Sequence, residues 1–312
     1  MADGSTQHDP VTMMATALDS ARRELEEAWK DCRPTCDSAE RLFHYTSLEG
    51  LLGIVKHKTL WLSNVSTFND TSELHYGGEV IMEVINEALH SQPPGQNLAP
   101  DLEAAVEKGK RFIEHLPSHY YAFCFCSDHD RLCQWRAYGA GAAGFEIGFS
   151  RSRLEGYLAS KRWRVSDPMP MLYGKPRMKK AARRFISKAQ AIAGSPEHAL
   201  KGGDLDKLND EFAFKLFLFP LAVKNPSFSE EKEWRIIQVG FDQKDVKFRP
   251  HHGITLPYLE LPGVPPEVFV SVTLGPKVDP DFADEPMRLF LKCNELGHVE
   301  VRPSKIPLRA PS

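Results

Sequence analysis

Hydrophobic and polar positions along the chain alternate between two periods. Short runs of period two, or of unbroken apolar character, predict strands at Leu42-Phe43-His44-Tyr45, Thr59–Ser63, Tyr120–Cys126, Gly144–Phe149, Trp234–Val239, Ile254–Leu261, Val268–Leu274 and His298–Val301. Apolar residues three and four apart predict a helix over 13–31, with Leu18, Ala21, Leu25 and Trp29 near one face. Thr46 or Ser47 caps a second helix with Leu48, Leu51, Leu52 and Val55 as its stripe and Glu49 in its first turn. The loop Asn69-Asp70-Thr71-Ser72-Glu73 caps a third, running through Val80, Val84, Ile85 and Leu89. A further helix reaches about Leu116, residues 176–219 are mostly helical with a Gly/Pro-rich break at 194–204, and Glu285–Asn294 closes the helical set.

Strands interrupted by helices, with no repeat and no βαβ alternation, predict the α+β class. The expected organisation is a tail and helix over 1–40 and a single domain over 41–312.

Composition changes this picture little. The 312 residues are 42% hydrophobic and 26% charged, with a net charge of -3, which gives no reason to expect wholesale binding to a phosphate backbone. The longest apolar run, Leu216 to Val223, is short and broken by Pro220, so no membrane crossing is expected. The polar first ten residues carry no signal-peptide pattern, and the expected location is cytoplasmic. Six cysteines without a secretion signal do not suggest a disulfide framework. Cys124, Cys126, His129 and Cys133 can be written as a zinc set, but Phe123-Cys124-Phe125-Cys126 reads as a buried strand, where cysteine acts as a small hydrophobe.

Candidate chemistry concentrates at Glu231-Lys232-Glu233-Trp234-Arg235-Ile236-Ile237. Alternation puts Glu233, Arg235 and Ile237 on one face and Trp234, Ile236 and Gln238 on the other. Charges at the mouth of an apolar strand need partners. Glu231 and Glu233 read as a glycosidase-like pair that stabilises positive charge at a sugar C1, or as a plain ion pair with Lys232 or Arg235. Trp135 and Tyr138, beside Gly139, Gly141 and Gly144, read either as a stacking platform for a flat ring or as core. His44, with Tyr45 and Thr46, is a site candidate or a satisfied structural histidine. No P-loop, dinucleotide glycine fingerprint, nucleophile elbow or HExxH helix is present.

These residues form an ordered set. Phe43-His44-Tyr45-Thr46-Ser47, Leu60-Trp61-Leu62-Ser63, Asn69-Asp70-x-x-Glu73, Cys126-Ser127, Gln134-Trp135-x-x-Tyr138-Gly139, Phe228-x-x-Glu231-x-Glu233-Trp234-Arg235 and Leu274-Gly275-Pro276 resemble a bacterial family catalogued as a domain of unknown function, from about Leu42 to Pro307. The pattern also looks like the ADP-ribosyltransferase fold, whose members place a histidine on a first strand, an aromatic or hydroxyl residue on a later strand, and a glutamate at the entrance to another. His44 to Ile54 is similar to the opening of the DNA-modifying and RNA 2′-phosphate-removing members.

The resemblance implies a split β-sheet core with inserted helices and NAD as substrate. It implies Glu233, Glu231 and His44 as catalytic residues, with His44, Tyr45, Thr46, Asn69, Trp135, Tyr138 and Arg235 binding NAD. Glu233 would bond the ribose 2′-OH, His44 the other ribose, Tyr138 or Trp135 would stack on nicotinamide, and Glu231 would serve the acceptor. Arg235 would pair with the NAD phosphates or with Glu233. The implied activity is an NAD-dependent ADP-ribosyltransferase of toxin or defence type, its macromolecular acceptor a protein or nucleic acid. The alternatives are an inactive nucleotide- or nucleic-acid-binding domain and an NAD glycohydrolase. No metal and no membrane partner are implied.

Overall fold

The computed structural model describes residues 10–33, 39–68, 73–91, 120–160, 165–239, 241–251 and 253–308. The elements begin with α1 (Pro10–Cys32), β1 (Arg41–Thr46), α2 (Leu48–His57), β2 (Thr59–Asn64) and α3 (Glu73–His90). They continue with β3 (Tyr121–Cys126), α4 (Leu132–Ala137), β4 (Phe145–Ser150), α5 (Arg151–Ala159), β5 (Met169–Pro170) and β6 (Leu172–Tyr173). Then come α6 (Lys175–Ala193), α7 (Gly203–Leu216), β7 (Val223–Lys224), β8 (Glu233–Gln238) and β9 (Lys247–His251). β10 (Ile254–Pro262), β11 (Phe269–Leu274), α8 (Pro280–Cys293) and β12 (Glu300–Pro303) complete the order. The helix expected near Leu116 and the Asn69–Ser72 loop lie outside the described residues. Among the described residues no helix is long and apolar enough to cross a membrane.

The chain divides into two compact units. One comprises Met1–Pro34, Ser72–Leu116 and Leu172–Asn225, and its described part is mostly helical. There α1 sets Trp29 edge-on against Phe185 of α6 and against Phe219, at ring distances of 5.7 and 4.7 Å. Along the flank, Glu83 and Glu87 of α3 pair with Lys179 and Arg183 of α6.

The second unit, Thr35–Thr71, Pro117–Met171 and Pro226–Ser312, holds the large sheet. Its order is β12-β11-β4-β1-β3-β2-β10-β9, with β8 on β3 and β5 on β8. β11 and β12 run parallel; the other pairs are antiparallel, and helices are inserted between strands, an α+β arrangement. One face carries the core. Leu60, Leu62, Phe123, Phe125, Trp234, Ile236, Leu259 and Leu261 are buried there with Leu51, Ile54 and Val55 of α2 and Met287 and Leu291 of α8. Each such side chain contributes about 1.5–3 kcal/mol by leaving water. α2 starts where expected, since the Ser47 hydroxyl accepts the Gly50 N–H.

The sheet parts at β3. Along one edge β8 pairs with the whole strand, from Tyr121↔Gln238 to Cys126↔Glu233. The other edge is shared: β1 takes Cys126 through Phe43, and β2 takes Ala122 and Tyr121 through Ser63 and Asn64. Between these two pairings, at the level of Cys124, the edge passes from β1 to β2, and a notch opens between them.

Candidate functional site

His44 sits in that notch. Its Nδ1 lies 2.8 Å from the Cys124 carbonyl, and its ring stacks on Phe123 at 4.2 Å. A carbonyl only accepts, so Nδ1 carries the proton and Nε2 is left as an acceptor. The imidazole thus ties β1 to the middle of β3. Burial pulls its pKa down to about 4; the Cys124 bond works against that shift, and the Arg249 charge adds to it. The half-buried ring is therefore neutral at pH 7.

In-register pairs share a face, so Phe43, Cys126 and Glu233 point one way, together with Cys124, Arg235, Ala122 and Ser63. His44, next to Phe43, starts from the other face, the one that carries Phe123. Two strand spacings separate Glu233 from the Phe43 backbone, about 10 Å.

Glu233 and Arg235 form a buried ion pair on one side of β8, 7% and 2% exposed. The guanidinium donates from Nε to Oε1 at 2.6 Å and from Nη2 to Oε2 at 3.0 Å. It also lies 5.0 Å from the centre of the Phe68 ring. Glu231 goes elsewhere. It closes a 3-10 turn over Pro226–Glu231, and Lys232 follows with φ of 46°. An unbroken strand would put residues two apart on one face. The left-handed Lys232 turns Glu231 away, where its Oε1 accepts from the Tyr138 hydroxyl at 3.0 Å and its backbone carbonyl from Gln134 Nε2 at 3.0 Å. The two carboxylates therefore serve different surroundings.

Of the two aromatics on and after α4, burial separates the roles. Trp135 is 0% exposed, packs edge-on to Tyr45 at 4.9 Å and donates its indole N–H to Asp130 Oδ1. No ring face is open to a ligand there. Tyr138 is 38% exposed beside Glu231. Tyr45 is core: its hydroxyl donates to the Asp128 carbonyl and accepts from the Arg131 N–H, and burial pushes the phenol pKa far up. Thr46 closes β1 opposite Phe145, with its side chain against Gly50 of α2. Asn69 lies outside the described residues.

The motif glycines have a packing reason. A Cβ on Gly275 would meet the carbonyl oxygens of Gly144 and Ala142 at 2.6 and 2.8 Å, and Gly275 N–H bonds the Gly144 carbonyl at 2.9 Å. The Leu274-Gly275-Pro276 turn and the glycine-rich loop after Tyr138 thus lock backbone to backbone. Cys126 is buried, with its thiol pushed up to about 12, which disfavours the thiolate a metal needs. Among the described residues no group of three His, Cys, Asp or Glu could hold a metal ion.

Two features were not read as site residues from the sequence. Glu146, fully buried on β4, accepts from His129 Nδ1, the Asp130 N–H and Thr273 Oγ1, and so anchors the loop after β3. Arg249 on β9 reaches the face that carries Glu233, beside Trp61, Ser63 and Tyr258. Trp61 and Ser63 belong to a recognised motif. Arg249 gave no signal beyond lying in the basic-aromatic run Lys247-Phe248-Arg249.

Residues 134–236 match the model of a family described as "Protein of unknown function (DUF2971)". The match runs from Gln134 on α4 to Ile236 on β8 and takes in Tyr138, Glu231, Glu233 and Arg235; the His44 and Trp61 motifs lie outside it. No curated protein matches the chain, and no solved structure matches it. A domain from a family of unknown function therefore spans the segment that carries both glutamates.

Proposed function

We propose that this protein is an NAD-dependent ADP-ribosyltransferase acting on a protein or nucleic-acid acceptor in a toxin or defence setting. One observation carries the reading. β1 and β8 both pair with β3 and bear His44 and, at its entrance, Glu233. A histidine on a first strand and a glutamate at the entrance to a later one are two of the elements that the resemblance implies.

The chemistry follows from it. The bond between ribose C1 and nicotinamide breaks, nicotinamide leaves with the bonding electrons, and an acceptor nucleophile bonds to C1. Glu233, oriented by Arg235, bonds the ribose 2′-OH and stabilises the positive charge that develops at C1. Neutral His44 offers Nε2 to a hydroxyl of the other ribose. Tyr138 supplies the open aromatic face, and Glu231, bonded to it, lies on the acceptor side.

Incubation with labelled NAD and a cell lysate tests this. Label should appear in a macromolecule, and Glu233→Ala should abolish nicotinamide release. Full turnover by a folded Glu233→Ala variant would sink the mechanism. Free ADP-ribose with no acceptor present would mark an NAD glycohydrolase instead. A second reading, a nucleotide-binding domain without chemistry, is favoured by the engagement of both Glu233 oxygens by Arg235. Calorimetric binding of NAD without nicotinamide release would select it.

A further inference from the structure

The face of the sheet that carries Glu233 continues across β2, β10 and β9. Ser63 pairs with Ala122 on β3 and with Tyr258 on β10, Trp61 pairs with Glu260, and Leu256 with Arg249. Shared faces then bring Trp61, Ser63, Tyr258 and Arg249 to one side, opposite the core residues Leu60, Leu62, Leu259 and Leu261. The exposed Trp61 indole rests against the buried Tyr258 ring, their centres 4.5 Å apart and their planes tilted by 31°.

The charges on this face are unequal. Lys247 on β9 is matched by Glu260 at 2.6 Å. Arg249 has no carboxylate partner among the described residues. Its Nη2 donates to Ser63 Oγ at 2.8 Å, its Nε is buried with no hydrogen-bond partner among the described residues, and it lies 6.0 Å from the Trp61 ring, at the outer limit of a cation–π contact. A half-buried guanidinium with donors to spare needs an anion, and its planar fork suits phosphate oxygens better than a point charge does. An aromatic beside such a fork suits a flat base.

We infer that Arg249, Ser63 and Trp61 form a binding site for the phosphate and base of a nucleoside diphosphate, on the sheet face that bears Glu233. The site stands on its own geometry. Only the identification of that nucleotide as the ADP half of NAD rests on the transferase reading. It also changes the part assigned to Arg235, which holds Glu233 and leaves the phosphates to Arg249.

Calorimetry on the full chain with ADP and with adenosine tests the inference. Wild-type protein should bind both, ADP more tightly. Arg249→Gln should weaken ADP by about tenfold or more and leave adenosine unchanged. Trp61→Ala should weaken both, and Lys247→Gln neither. Inorganic phosphate should compete with ADP but not with adenosine on the wild-type protein, a readout independent of any variant's folding. No ADP binding at millimolar concentration, or Arg249→Gln affinity within about twofold of wild type, overturns the site. ADP binding that needs Arg249, with no nicotinamide release from NAD, keeps the site and removes the transferase. Nicotinamide release with Arg249-independent ADP affinity does the reverse.

Discussion

Removal of Arg235 alone should damage the sheet unit more than removal of Arg235 and Glu233 together. Both groups are almost fully buried, and the guanidinium holds both carboxylate oxygens. Without Arg235 a carboxylate is left in the interior, and breaking a buried pair in this way costs about 3–5 kcal/mol. The contact over Phe68 adds about 0.5–1 kcal/mol to the loss. Replacing both residues by methionine removes both desolvation penalties along with the attraction, and such exchanges are close to neutral or stabilising by about 1–4 kcal/mol. The assay is urea unfolding of wild type, Arg235→Met, Glu233→Met and the double variant. Trp234 lies between the pair on β8 and Trp29 lies in the other compact unit, so fluorescence reports both and calls for a fit that allows separate transitions. Arg235→Met should fall by at least about 3 kcal/mol, and the double variant should recover most of it. A loss below about 1 kcal/mol in Arg235→Met, or losses that simply add in the double variant, would refute the reasoning. The result bears on function. Glu233→Ala removes the carboxylate that Arg235 bonds through Nε and Nη2, so its activity has to be read beside its stability.

Three further outcomes follow from the same geometry. The folded pKa of His44, about 4, lies below its free value of 6.5, so between these values the unfolded chain binds the extra proton. Stability present above pH 6.5 should therefore fall by up to about 3 kcal/mol as the pH drops through that window, and His44→Gln should flatten a plot of urea midpoint against pH. Tyr138→Phe removes one hydrogen bond at an exposed position and should change stability by less than about 1 kcal/mol. If Glu231 serves the acceptor, Tyr138→Phe should lower macromolecule labelling without lowering free nicotinamide release, and equal loss of both speaks against it. Gly275→Ala sets a methyl against two backbone oxygens that cannot swing aside, so a loss of about 1–3 kcal/mol is expected in thermal unfolding, and an unchanged midpoint would refute the close approach.

Much of the sheet was readable because its strands bury apolar side chains. β3 is apolar throughout, β8 carries Trp234, Ile236 and Ile237 at its centre, and β2 and β10 set apolar side chains among polar ones, so their positions follow from residue type. β9 was missed. Among the described residues it is an edge strand that pairs with β10 alone, keeps most of its side chains exposed and contains Pro250, so it lacks both apolar pattern and strand composition. α5 was missed because only Leu154 and Leu158 are buried along a polar helix.

The sequence by itself determined which short segments bury apolar faces and that Glu233 and Arg235 share a side of their strand, and it offered His44, Tyr138 and the glutamates as site candidates. Periodicity is a property of local backbone geometry, so a sequence carries it openly. Three other matters were decided only by tertiary structure. Trp135 and Tyr138 look alike in sequence, and burial makes one core and leaves the other open. Glu231 and Glu233 look like a pair, and the left-handed turn at Lys232 sends them to different partners. Arg249 lies about two hundred residues from His44 along the chain, and only the strand order β1-β3-β2-β10-β9 brings its charge to bear on that ring. Such meetings depend on which strand edges pair, and pairing is settled by the burial of the whole sheet rather than by any one segment's composition.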